Sequence, residues 1–227
     1  MDESDIVKTD GEYLYQVKDR EVIIVKAYPG SELQVVARVP VTQRPREMYL
    51  HQNRLILIQD SVLNRDYPEP VPMEDTAKRL MPSIYPPAQS RTLVTIFDTS
   101  EKSRPAKIDE YGTPGNYVSS RKIGNNIYLI SSEHVYQPFE PVYSVNGQEY
   151  TKSYDQIRYF PDMQLSSYVN IAQVKLTSAG SQFALETFLG SSGNVYCSQN
   201  NLYIAASLYR PAYYRQGYTE DSESTVL

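Results

Sequence analysis

Residues 125–132 read NNIYLISS, and residues 200–207 read NNLYIAAS. Such an echo is either a coincidence of strand-forming composition or one structural unit seen twice. Two further copies decide for the unit: NRLILIQD from Asn53 and GEYLYQV from Gly11. Aligned on the first apolar residue, the four phrases place Leu14, Leu55, Ile127 and Leu202 at one position. Each opens a short alternating apolar run just after Gly, Asn or Gln turn residues, a strand signature.

The neighbours repeat as well. Before each anchor stands a short strand: SDIVKT, REMYLHQ, NYVSSRKI and NVYCSQ. After it comes a third, in REVIIVKAY, RTLVTIFDTS and SYVNIAQVKLTS, and then a fourth, in LQVVARVP, AKIDEYG and FALETFLG. Four antiparallel strands in about 41 to 45 residues, insertions removed, make the unit of a β-propeller blade. An ordinary sandwich would not repeat all four strands in order. The expected fold is therefore all-β, with three complete blades and half of a fourth. Blade 1 spans about 5–41, and blade 2 about 46–112 with an insert at 61–90. Blade 3 spans about 116–190 with an insert at 133–166, and the half blade runs from 193 to 227. Propellers close with about four to eight blades, so this reading makes the chain a fragment of a larger ring. Its open blade edges predict pairing into a homodimer.

Composition narrows the function classes. The chain has 227 residues, a formal net charge of −5, 21 Tyr, 15 Pro and no Trp. An acidic balance without basic runs argues against nucleic acid as a partner. No apolar stretch reaches the roughly 18 residues of a membrane span. The opening MDESDIVKTDGEY is polar and acidic, unlike a signal peptide. A single cysteine, Cys197, excludes an internal disulfide and a cysteine zinc site.

Several segments resemble one known family: DESDIVKTDGEYLYQV, TLVTIFDTSEKSRPAKI, GNYVSSRKIGNNIYLI, IRYFPD and SSGNVYCSQNNLYIA. It is the bacterial and archaeal family of secreted proteins with a C-terminal β-propeller domain. The matching segments lie in order across most of the chain. The resemblance implies the propeller fold and a place outside the cell or in its envelope. It brings no catalytic residues, because the family has no established activity. Its members are longer than this chain and carry an export signal.

The connections between second and third strands hold the remaining information. In a propeller they all emerge on one face of the disc. Blade 1 has a tight turn at Lys18-Asp19-Arg20, whereas the other connections are long and hold 11 of the 21 Tyr and 10 of the 15 Pro. Proline lowers the entropy lost on ordering, and tyrosine supplies stiff amphipathic contact area. Tyr143, Tyr150, Tyr154, Tyr159, Tyr213 and Tyr214 are the candidate ligand contacts. VYSVNGQEYT reads as a hairpin turning at Asn146-Gly147, with Tyr143 and Tyr150 near a cross-strand pair. The plainer reading is that these residues form a small core of their own over the disc.

In the innermost strands, Thr9, His51, Ser120, Arg121 and Ser198 are polar and stand close to the expected central channel. His51 and His134 lack the spacing of metal ligands, and no nucleophile elbow or phosphate loop is present. No cofactor or metal is expected. The resulting expectation is a non-enzymatic module binding a protein or a glycan. One alternative is a carbohydrate-active enzyme using acids from several blades, such as Asp60, Glu133 and Asp162. Another is a spacer domain.

Overall fold

The computed structural model describes residues 5–63, 89–135, 138–159, 167–190, 195–198, 201–207 and 224–226. Blade 1 is an antiparallel sheet of β1 (Val7–Thr9), β2 (Tyr13–Lys18), β3 (Glu21–Lys26) and β4 (Gln34–Pro40), in sequence order. Blade 2 repeats it with β5 (Pro45–His51), β6 (Arg54–Leu63), β7 (Gln89–Asp98) and β8 (Ala106–Pro114). Blade 3 begins with β9 (Asn116–Ile123) and β10 (Asn126–His134). Its insert contributes β11 (Val142–Val145), β12 (Gln148–Thr151) and β13 (Ile157–Tyr159) before β14 (Ser167–Thr177) and β15 (Gly180–Gly190) complete the blade. The last sheet holds β16 (Val195–Cys197), β17 (Leu202–Ser207) and β18 (Ser224–Val226). β18 pairs antiparallel with β17 and so takes the place of a third blade strand.

The repeat read from sequence is a repeat of backbone register. Leu14 faces Val25, Leu55 faces Phe97 and Ile127 faces Val174 across equivalent strand pairs. Two residues before each anchor a carbonyl accepts the same hydrogen bond. Glu12 takes it from the Ala27 N–H (2.9 Å), Asn53 from Thr99 (2.7 Å) and Asn125 from Leu176 (2.8 Å). The turn before it is left-handed each time, with φ of 101° at Gly11, 53° at Gln52 and 56° at Gly124.

Blade 2 explains why LILI at residues 55–58 is apolar at every position rather than at alternate ones. Successive strand side chains point to opposite faces, and both faces of this sheet are covered. Leu55 and Leu57, with Met48 and Phe97, pack against Tyr15, Val17, Val22, Ile24 and Val39 of blade 1. Ile56 and Ile58, with Tyr49, Val94 and Ile96, pack against Ile127, Leu129, Ala172, Val174 and Leu185 of blade 3. Leu55 through Ile58 are all completely buried. At about 1.5–3 kcal/mol per buried aliphatic side chain, this stacking holds the blades face to face.

The crossing from blade 2 to blade 3 is tied by polar groups. The Pro114 carbonyl accepts from the Ser131 hydroxyl (2.6 Å) and the Asn170 amide (3.0 Å), and Thr187 donates to Asn170 Oδ1 (2.8 Å). Thr92 donates to the Gly115 carbonyl (3.0 Å). Thr92, Ser131, Asn170 and Thr187 are buried, where an unpaired polar group is costly. Gly115 has φ of 89°, and a Cβ there would stand 2.5 Å from the Ser132 carbonyl. Gly124 is also left-handed, with open space where a Cβ would go. Gly115→Ala is therefore expected to cost at least about 2 kcal/mol, and Gly124→Ala about 1 kcal/mol. Urea unfolding of the two variants measures the difference, and equal costs would refute the close approach at Gly115.

Candidate functional site

The blade-3 insert is built into two sheets. β11 pairs with the outer edge of blade 2, Ser144 opposite Gly112 and Val145 opposite Tyr111, and β12 follows as a sixth strand. β13 runs parallel along β15 at the outer edge of blade 3. Asn146 and Gly147 turn the hairpin with φ of 49° and 83°. The Asn146 N–H donates to the Glu110 carbonyl (2.7 Å), and its Oδ1 accepts from the Glu110 N–H (2.7 Å). Gly112 lets the hairpin approach, because a Cβ there would meet the Ser144 hydroxyl and lie 2.6 Å from the Arg91 stem. Arg91 is 7% exposed and donates to Glu149 (2.9 Å), and Lys152 donates to the Leu185 carbonyl (2.8 Å).

These contacts sort the candidate tyrosines. Tyr143 stacks on Tyr150 with ring centres 5.4 Å apart and leans on Phe183, which itself stacks on Tyr111 at 4.9 Å. Tyr143 thus joins the core between blades 2 and 3. Tyr150, Tyr154 and Tyr159 are 39%, 52% and 69% exposed. Tyr213, Tyr214 and Asp162 lie outside the described residues.

The polar positions of the innermost strands are dispersed. Ser120 is fully buried at the seam of blades 2 and 3, with its hydroxyl 2.8 Å from that of Tyr49. It also meets the Tyr117 hydroxyl (3.1 Å) and Glu47 (3.3 Å), and Tyr117 donates to the same carboxylate. Burial and the Glu47 carboxylate push the Tyr117 phenol far above its ordinary range. Arg121 donates to the Ser120 carbonyl (2.7 Å). Ser198 closes a turn by accepting from the Asn201 N–H (3.0 Å). His51 is held below the usual histidine range by burial and by Lys122 and Arg54. Asp60 is ion-paired with Arg46, and Glu133 stands half-buried in β10. Among the described residues no three His, Cys, Asp or Glu are grouped to hold a metal. No helix among them is long and apolar enough to cross a membrane.

Thr9 leads elsewhere, to an open cleft of about 590 Å³ between the first turns of blades 1 and 2. Thr9, Asp10, Glu12 and Tyr13 form one wall, Leu50, Gln52 and Asn53 the other, and Lys102 comes from the β7–β8 connection. Lys102 reaches Asp10 at 3.0 Å and donates to the Tyr15 hydroxyl at 2.8 Å, with its ammonium over the Tyr13 and Tyr15 rings. Tyr15 donates to Asp10 (3.1 Å), whose other oxygen accepts the Glu12 and Tyr13 N–H groups at 3.2 and 2.8 Å. Burial opposes ionisation of Asp10, but the Tyr13 N–H and Lys102 prevail and hold its carboxyl below the ordinary value. Burial likewise opposes the Lys102 charge, but Tyr15 and Asp10 raise its ammonium above the usual range. At the next seam Arg54, the counterpart of Tyr13, reaches across to the Thr177 and Gly180 carbonyls at 2.6 and 2.7 Å.

The family model for the Beta propeller domain matches residues 1–227. The chain belongs to that family. No curated protein and no solved structure matches it. The all-β propeller fold read from the repeat thus stands.

Sequence reasoning singled out Thr9 in this cleft of the propeller and missed its partners. The available signal was the repeat itself, since equivalent turns become neighbours when blades stack. The Asp10–Lys102 pair also makes a pH-dependent prediction. A depressed carboxyl contributes stability that is complete above its unfolded value of about 4 and lost as pH falls through the folded value. The urea midpoint of the wild type should exceed that of Asp10→Asn by a constant margin from about pH 6 to 9, closing in acid as the folded-state carboxyl becomes protonated. A margin that persists in acid would show that the pair does not tie the blades.

Proposed function

We propose that this propeller is a non-enzymatic binding module whose recognition surface is the blade-3 insert, acting at or outside the cell envelope. The observation that carries the reading is the anchoring of the insert. It contributes strands to two blades, so Tyr150, Tyr154 and Tyr159 are displayed without further ordering. Preordered aromatic side chains bind at low entropic cost. The partner is a protein or a glycan of the envelope. The resemblance to secreted propeller proteins supports that location.

Biolayer interferometry against arrayed envelope proteins and surface glycans tests the reading. Tyr154→Ala with Tyr159→Ala should weaken capture at least about tenfold while stability stays within about 0.5 kcal/mol, because both side chains are exposed. Tyr143→Ala should instead cost about 2 kcal/mol of stability, since its ring packs on Phe183. A ligand held equally well by wild type and the double variant would remove the insert as the recognition surface.

A further inference from the structure

The cleft between the first turns of blades 1 and 2 lies apart from the insert and has its own chemistry. We infer that it is a binding site for a neutral glycan, held by the Glu12 carboxylate and the Gln52 and Asn53 amides. Its volume of about 590 Å³ falls within the roughly 300–1,000 Å³ of small-ligand sites, with room for a short oligosaccharide.

The charges around the cleft argue against an anionic ligand. Among the described residues the one cation lining the cleft, Lys102, is neutralised by Asp10 and also engaged by Tyr15. The nearby Lys26 is paired with Glu32 and lies 4.0 Å from Glu12. Among the described residues lining the cleft no unpaired cation is left to receive a phosphate or sulfate, which demands charge-assisted donors. Thr9 is also occupied, donating to the Tyr13 carbonyl (2.9 Å) and accepting from the Gly11 N–H (3.1 Å).

What remains unengaged suits hydroxyl groups. Among the described residues the Gln52 and Asn53 side-chain amides make no hydrogen bond, and both residues are exposed. Each amide offers a donor pair and an acceptor, and Glu12, though it lies 4.0 Å from the Lys26 ammonium, adds carboxylate lone pairs that accept. Vicinal hydroxyls donate and accept together, so they match mixed groups of this kind. Tyr13 and Leu50 supply apolar surface against which the C–H face of a sugar ring can lie. The left-handed φ of 53° at Gln52 places both residues on the tight turn that lines the cleft.

The test is saturation-transfer NMR on the full chain with cellohexaose, chitohexaose, maltohexaose and mannohexaose, with spermine and inorganic phosphate as charged probes. At least one neutral hexaose is expected to bind. Gln52→Gly with Asn53→Ala should weaken it by roughly tenfold or more, and so should Glu12→Ala. Gln52→Gly is compatible with the backbone because glycine holds the equivalent positions 11 and 124. Tyr154→Ala with Tyr159→Ala should leave this binding unchanged, so failure of the cleft and failure of the insert are told apart. The inference is overturned if no hexaose binds at about 10 mM, if only spermine or phosphate binds, or if the cleft variants bind as the wild type does.

Discussion

Everything in this molecule depends on a sheet that is apolar on both faces. Leu55, Ile56, Leu57 and Ile58 are consecutive and completely buried, which is unusual for an antiparallel strand with one face in water. A two-faced sheet cannot satisfy itself. It requires one neighbour for Leu55 and Leu57 and another for Ile56 and Ile58, and blades 1 and 3 are those neighbours. The stacking direction, the placing of the first turns side by side and the cleft between them all follow.

Polar chemistry is then arranged around seams that apolar packing created. At the crossing from blade 2 to blade 3, Ser131 and Asn170 satisfy the backbone of a buried corner, and Thr187 holds the Asn170 side chain. Between blades 2 and 3, Arg54 spans the seam and caps a turn of the next blade. Between blades 1 and 2 the counterpart residue is Tyr13, and the spanning cation is Lys102 from the opposite blade. The same repeat position thus closes one seam with a guanidinium and leaves a cleft at the other. Small differences at equivalent positions diversify a repeat protein because the backbone is held constant by register.

The insert follows a different logic. An outer blade strand presents unpaired backbone groups, an invitation to aggregation unless covered. β11 covers part of that edge on blade 2, and β13 covers part of it on blade 3. Burying Tyr143 against Phe183 and pairing Arg91 with Glu149 fixes the hairpin, so the tyrosines left outside stand on a rigid support. The cover and the display surface are one segment. The tyrosines of the insert divide residue by residue. Tyr143 packs, while Tyr154 and Tyr159 are exposed.

Local physics made the fold legible in the sequence. Apolar strand phrases opening at Leu14, Leu55, Ile127 and Leu202 behind Gly, Asn or Gln, and Asn-Gly at the hairpin, are short-range features, and the fourfold recurrence of the phrase identified the blade. That both faces of the Leu55–Ile58 strand are covered came only from the stacked blades. Which groups would meet across those faces was not legible. Asp10 and Lys102 are far apart in the chain and touch because two blades stack in one register. Ser120 read as a polar residue near the channel, yet its hydroxyl is sealed against Tyr49 of the neighbouring blade. Distance between side chains of different blades depends on twist, register and stacking summed over the sheets, and no local pattern encodes that sum. The amino-acid order determined the blades and their turns; the tertiary structure alone decided which residues share a cleft and which are locked in a seam.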